Sequence, residues 1–146
     1  MTTSATELSS TALELARSNV ARHGQEGRVR LLEADLFPRE SGRYRAIIAN
    51  PPYVPEQRLA MLPAEYRHEP RIALAAGVDG LDVVRRILSG SRERLEADGV
   101  LIVEVGESAD ALTRAYPRLN TIWVEFEHGG TGVFVVTAQD LAEAGF

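Results

Sequence analysis

The run Ala46-Ile47-Ile48-Ala49 breaks off at Asn50-Pro51-Pro52-Tyr53, and this junction constrains the fold more than any other feature of the chain. Four consecutive apolar residues without alternation read as a parallel strand covered on both faces. Two prolines then end it, because each fixes φ and removes an N–H. The strand must give way to a stiff turn.

The rest of the sequence alternates around that strand. Leu13, Ala16 and Val20 recur at helical spacing behind a capping Ser10, and Gly24 ends the run. Residues 29–32 read as a short strand leading to Glu33, Ala34 and Asp35, an acidic tip, and Ser41-Gly42 marks a turn. A long irregular stretch follows the tetrad over residues 54–79, the kind of loop that is either functional or disordered. Leu81, Val84, Leu88 and Leu95 predict a helix ending before Gly99, residues 100–105 a second apolar strand, and residues 109–116 a short helix stopped by Pro117. Residues 121–126 and 133–137 read as strands joined through His128-Gly129-Gly130-Thr131-Gly132, a link suited to an antiparallel hairpin. Strands alternating with helices predict an α/β fold with a mostly parallel sheet. The closing antiparallel hairpin fits a Rossmann-like methyltransferase architecture better than a dinucleotide dehydrogenase.

Composition removes several function classes. With 146 residues, 45% hydrophobic and 25% charged, the chain is ordinary for one globular domain, and no second domain or repeat is visible. A net charge of -5 argues against non-specific nucleic-acid binding. The absence of cysteine excludes disulfides and thiolate metal sites and permits a reducing cytoplasm, the expected location. The polar first ten residues carry no signal-peptide pattern, and no apolar run approaches the roughly 20 residues of a membrane span.

The tetrad carries the chemistry. Ligands of open α/β sheets bind beyond the carboxyl ends of the strands, where Asn50 stands. The Asn50 side-chain oxygen and a proline carbonyl are two neighbouring acceptors, matched to the two donors of a planar NH2 group. Tyr53 adds a flat face for stacking. An amide nitrogen is a poor nucleophile, because its lone pair is delocalised. Paired acceptors orient it towards a sulfonium methyl and stabilise the charge that grows on nitrogen, through proximity and preorganised dipoles. Glu7, at the tip of a strand before the first helix, is suited to accept both hydroxyls of a ribose. Asp35, at the next strand tip, is suited to accept an adenine amino group, with Leu36 packing on the ring.

Other features read as structural. Gly129-Gly130-Thr131-Gly132 has no helix after it and reads as a hairpin turn rather than a phosphate loop. His23, His68 and His128 lack metal-ligand spacing, so no metal is expected. Arg85, Arg86, Arg92 and Arg94 read as a solvated helix face. Glu104, inside an apolar strand, fits either a buried partner or a cleft-facing carboxylate.

Asn50-Pro51-Pro52-Tyr53, with Glu69-Pro70, Ala73-Leu74 and Gly77-Val78-Asp79-Gly80-Leu81-Asp82, resembles the HemK-like protein-glutamine N5-methyltransferases. The stretches Leu62-Pro63-Ala64-Glu65-Tyr66-Arg67-His68-Glu69-Pro70 and Glu125-Phe126-Glu127-His128-Gly129-Gly130, with Gly132-Val133-Phe134, resemble the branch that modifies a large-subunit ribosomal protein. The resemblance implies S-adenosyl-L-methionine as cofactor. It also implies that Asn50, Pro51 and Pro52 hold the target glutamine amide with Tyr53 beside it, and that Glu7, Asp35, Leu36 and Asn50 border the cofactor. Glu7 replaces the aspartate commonest in the family and keeps the acceptor chemistry. The family's helical recruiting domain, first strand and glycine-rich loop have no counterpart here, so residues 1–146 read as a partial catalytic domain from the second strand onward. The first strand lies centrally in this fold; without it the sheet is expected to split, its exposed edges to invite self-association, and the chain alone to bind cofactor weakly or not at all.

Three rival readings stand beside this one. They are a release-factor glutamine methyltransferase, an adenine or guanine amino-methyltransferase acting on nucleic acid, and an inactive fragment serving as a binding or dimerisation module. The nucleic-acid reading requires a basic channel and stacking aromatics, whereas aromatics are only 6% of the chain, so no direct nucleic-acid substrate is expected.

Overall fold

The computed structural model describes residues 2–40, 42–63, 66 and 69–146. Ser41 of the expected turn, and Ala64, Glu65, Arg67 and His68 of the branch-specific stretch, lie outside the described residues. The chain divides into two compact units, Met1–Gly42 and Arg43–Phe146.

The first unit is a βαβ arrangement. Strand β1 (Thr3–Glu7) leads into helix α1 (Ser10–Arg22), and β2 (Val29–Glu33) returns parallel to β1, in register from Thr3↔Val29 to Glu7↔Glu33. The helix cap is Ser9, one residue earlier than expected: its Oγ accepts from Ala12 N at 3.3 Å, and Ser10 begins the helix proper. Leu13 is the buried residue of α1.

In the second unit β3 (Tyr44–Ala49), α2 (Asp82–Ser91), β4 (Leu95–Glu104), α3 (Ala109–Ala115), β5 (Ile122–Trp123), β6 (Val133–Thr137) and α4 (Ala138–Ala144) follow in chain order. The four strands form one sheet in the order β3-β4-β6-β5, with β3 parallel to β4 and the last two pairings antiparallel. The α/β class and the C-terminal antiparallel pair agree with expectation, and the strands of the two units form separate sheets. The core lies along β4 and β6, whose Leu101, Val103, Phe134 and Val136 are buried with Val105 just past β4, Val84, Ile87 and Leu88 of α2 and Leu141 of α4. Trp123 meets Phe134 edge-on, with ring centroids 5.6 Å apart.

Four expectations are corrected. β3 is not covered on both faces, since Ile48 is 76% exposed, and among the described strands it pairs only with β4. Its apolar run is the pattern of a central strand on a strand that has one neighbour. The α2 helix stops at Ser91, where Gly90 and Ser91 weaken the helix and Arg94 N turns back to Ser91 O; Leu95, at helical spacing by coincidence, opens β4. The strand expected over residues 121–126 keeps only Ile122–Trp123. Arg85 is no simple solvated residue, since it forks onto Asp79 at 2.5 and 3.0 Å, while Arg92 and Arg94 lie beyond the helix. That pairing holds the Asp79 carboxyl below its ordinary range.

Helix α4 follows β6 directly, where the sequence pattern predicts no further element. It is defined by a capping box in which Asp140 N donates to Thr137 Oγ1 at 3.1 Å and Thr137 N donates to Asp140 Oδ2 at 2.8 Å. Gly145 closes it in the left-handed region, at φ 96. The Thr137 hydroxyl bond is the largest cause of a lowered Asp140 pKa. A depressed carboxylate contributes stability above its unfolded pKa, so this contribution is lost as pH falls through the depressed folded value, below the usual carboxylate range. Thr137→Ala is expected to cost about 1 kcal/mol in urea denaturation at pH 7. That cost should shrink in acid; a pH-independent cost would contradict the coupling.

No helix among the described residues is long and apolar enough to cross a membrane.

Candidate active site

Asn50 is the first residue past β3, immediately after Ala49 pairs with Val103 of β4. Its side chain is exposed, whereas Pro51 behind it is buried and Pro52 and Tyr53 are half-buried. The fixed φ values of the two prolines carry the chain away from the sheet without offering an N–H to it. Beyond the tetrad the backbone is tied down again. Val54 N donates to Leu74 O at 3.0 Å, Ala76 N to Val54 O at 3.0 Å, and Glu56 N to Gly77 O at 2.8 Å. The tetrad is therefore held at both ends, by the sheet before it and by residues 74–77 after it. The long loop is not structureless, since it contains 3-10 turns at Glu56–Met61 and Arg71–Ala73.

Tyr53 is the most constrained member. Its carbonyl accepts from Ser108 Oγ at 2.9 Å, and Ser108 is 3% exposed. Its ring lies against Gly106, where a Cβ would stand 2.6 Å from Cε2. Burial pushes the phenol pKa above its ordinary value, and the charges of Glu104, Tyr66 and Glu107 add to the rise. The phenol is consequently neutral throughout the physiological range. Glu104 is half-buried at the end of β4, so it lies outside the buried core. The exposed pair of Arg58 with Glu107 links the first 3-10 turn to the turn after β4. Such a pair contributes little stability at this exposure.

The first unit holds the other expected residues. Glu7 ends β1, and its Oε1 accepts from Ser9 N at 2.8 Å; Oε2 has no donor among the described residues. Asp35 is exposed just past the end of β2. Leu36 has φ 66, a left-handed conformation that costs a non-glycine residue about 1–2 kcal/mol. Thr6 Oγ1 donates to the Leu36 carbonyl at 2.7 Å and holds it there. The parallel register ends at Glu7↔Glu33, so Glu7, Asp35 and Leu36 all stand at the carboxyl ends of two adjacent strands. An acidic, partly open strand end with a strained apolar residue beside it fits a nucleoside.

Sequence reasoning missed Gly80, Gly106, Ser108 and Gly132 as parts of the tetrad's setting. Each owes its role to a close approach between distant segments. The available signal was a glycine directly after an apolar strand, at Val105-Gly106.

No protein-family model matches the chain. Among solved structures it resembles a methyltransferase from Pyrococcus furiosus, with a TM-score of 0.65 at 16% identity over 94% of this chain and 62% of that one. It also resembles the hMettl16 catalytic domain in complex with a 3'UTR hairpin, with a TM-score of 0.64 at 20% identity over 91% of this chain and 53% of that one. These likenesses show the fold. Sequence comparison gives relatives of higher identity, three of which are named ribosomal protein uL3 glutamine methyltransferase. That of Neisseria meningitidis is 44% identical over 137 residues, that of Bradyrhizobium diazoefficiens 46% over 141, and that of Bordetella pertussis 41% over 138. The matches cover 94–96% of this chain but only 44–46% of the relatives, so the chain spans under half their length. Over that shared segment, the chain is a homologue of the bacterial proteins named ribosomal protein uL3 glutamine methyltransferase, and its α/β fold is that of the methyltransferases.

Proposed function

We propose that this chain is part of an enzyme that transfers a methyl group from S-adenosyl-L-methionine to the side-chain nitrogen of a glutamine in a large-subunit ribosomal protein. The observation that carries the reading is Asn50, exposed at the carboxyl end of β3 and followed by a Pro-Pro-Tyr turn tied at both ends. The Asn50 side-chain oxygen and the Pro51 carbonyl accept the two N–H groups of the amide, and Tyr53 stacks against its plane. Those acceptors gain as positive charge develops on nitrogen, which makes them worth more in the transition state than in the ground state. The cofactor, when bound, supplies an electrophilic sulfonium methyl. Glu7 would accept its ribose hydroxyls and Asp35 its adenine amino group, with Leu36 packing on the base.

The names of these relatives support the ribosomal protein over a release factor as substrate. The net charge of -5 disfavours a nucleic-acid substrate, and the expected location is the cytoplasm. The test is transfer of labelled methyl to a glutamine-containing ribosomal protein, by the chain alone and with the unmatched portion of a relative supplied. Label on the glutamine side chain is expected; label on RNA, or none in either arm, would overturn the reading.

The chain is also proposed to self-associate through β3, the outer strand of its sheet, where Ile48 is 76% exposed. Ile48→Lys is expected to shift size-exclusion elution towards the monomer. An unchanged profile, or a monomeric parent chain, would contradict this.

A further inference from the structure

We infer that Ser108 is a positioning residue for Tyr53, fixing the ring against which the substrate amide lies; this rests on the reading of the tetrad proposed above. Tyr53 is gripped at two points by a single turn, Gly106–Ser108, which follows β4. Ser108 supplies the donor to the Tyr53 carbonyl, at 2.9 Å, from a position 3% exposed to solvent. Gly106, at φ 47, supplies bare backbone to the ring: an added Cβ would stand 2.6 Å from Cε2, 2.9 Å from Cζ and 3.1 Å from Cδ2.

Two further glycines close the arrangement. Gly80, at φ 78, approaches the same carbonyl so closely that a Cβ would lie 2.3 Å from Tyr53 O and 2.2 Å from Ser108 Oγ. Gly132, at φ 77, stands behind Gly106, with an added Cβ 2.3 Å from the Gly106 carbonyl oxygen. Gly106 therefore cannot retreat from the ring. Within this wall the peptide after Tyr53 is held from both sides, its carbonyl accepting from Ser108 Oγ at 2.9 Å and its N–H, that of Val54, donating to Leu74 O at 3.0 Å. The Ser108 bond is the one made by a side chain, so a substitution can remove it and shift the peptide plane, the Cα–Cβ bond and the lie of the ring. A plate that is displaced by about 1 Å leaves the amide misaligned for transfer, an error worth on the order of 100-fold in rate.

A purely structural role, satisfying one buried carbonyl, would make Ser108→Ala less stable while leaving ring and turnover alone. Positioning makes a different prediction, read by NMR on the full chain with 13C-labelled tyrosine. In S108A the Tyr53 aromatic resonances should move while those of Tyr44 and Tyr116 stay. In the complemented transfer assay kcat should fall about 10- to 100-fold with KM changed less than about twofold. Unmoved Tyr53 resonances in folded S108A would overturn the inference, as would moved resonances with unchanged kcat. If S108A does not fold, Ser108→Cys keeps the volume, weakens the donor and is read the same way. The spectral arm needs no turnover, so its failure is distinguishable from failure of the methyl-transfer reading, which Asn50 variants test.

Discussion

Asn50→Ala is expected to lower methyl transfer about 10²- to 10³-fold while leaving the unfolding free energy within about 0.5 kcal/mol of the parent. The two halves of this expectation have separate origins. Asn50 is exposed and lies beyond the last strand pairing of β3, so truncating it opens no cavity and breaks no ladder bond. Its side-chain oxygen is nevertheless one of two acceptors that orient the amide, and preorganised acceptors of this kind contribute roughly 3–4 kcal/mol to a transition state. Asn50→Asp should retain part of the activity, since a carboxylate accepts but adds a charge the neutral amide does not need. Kinetics with denaturation on the same preparations checks both halves. Loss of activity with matching loss of stability would mean that Asn50 is structural.

The second large effect falls on stability. Gly132→Ala should cost about 4 kcal/mol or more, whereas Gly129→Ala, one turn residue of the same link, should cost only about 1 kcal/mol. Both glycines have positive φ, 77 and 91, so both pay the left-handed penalty. The difference lies in what surrounds them. A Cβ at Gly132 would meet Gly106 backbone atoms at 2.3 and 2.6 Å, which no rotamer change relieves, while a Cβ at Gly129 meets nothing within 4 Å. The carbonyl of Gly132 also accepts from Val105 N at 2.7 Å, so the clash would pull on the end of β4. Urea denaturation of the two variants decides it. Equal costs would show that the Gly132–Gly106 approach is not tight.

What the sequence disclosed and what it withheld divide along physical lines. Helix α1, β2, β6 and the tetrad's place after β3 were legible because each follows from local periodicity, capping or proline chemistry. The strand ending at Glu7 was also legible, from an acidic residue set just before a helix. The coverage of β3 was not, because a central-strand pattern says what a strand needs and not what surrounds it. Leu95 was assigned to the wrong element because it continued a helical spacing by chance, and Gly90-Ser91 outweighed that spacing. The capping box Thr137-Ala138-Gln139-Asp140 is written in the sequence but directly follows a strong strand pattern, which masks it. The contacts around Tyr53 lie in a different class. Gly80, the Gly106–Ser108 turn and Gly132 come from separate segments, and apart from the glycine directly after β4 nothing local announces their meeting around Tyr53.

The most direct test of the central claim is to locate the transferred methyl by peptide fragmentation mass spectrometry. The acceptors would be a glutamine-containing large-subunit ribosomal protein, its glutamine-to-glutamate variant, and a structured RNA, each offered with labelled S-adenosyl-L-methionine to the complemented chain. A paired-acceptor site selects an NH2 group, so the methyl should appear on the glutamine side-chain nitrogen and vanish with the glutamate variant, which has no N–H to hold. Methyl found on the glutamate variant, or on RNA adenine in preference to glutamine, would contradict the account.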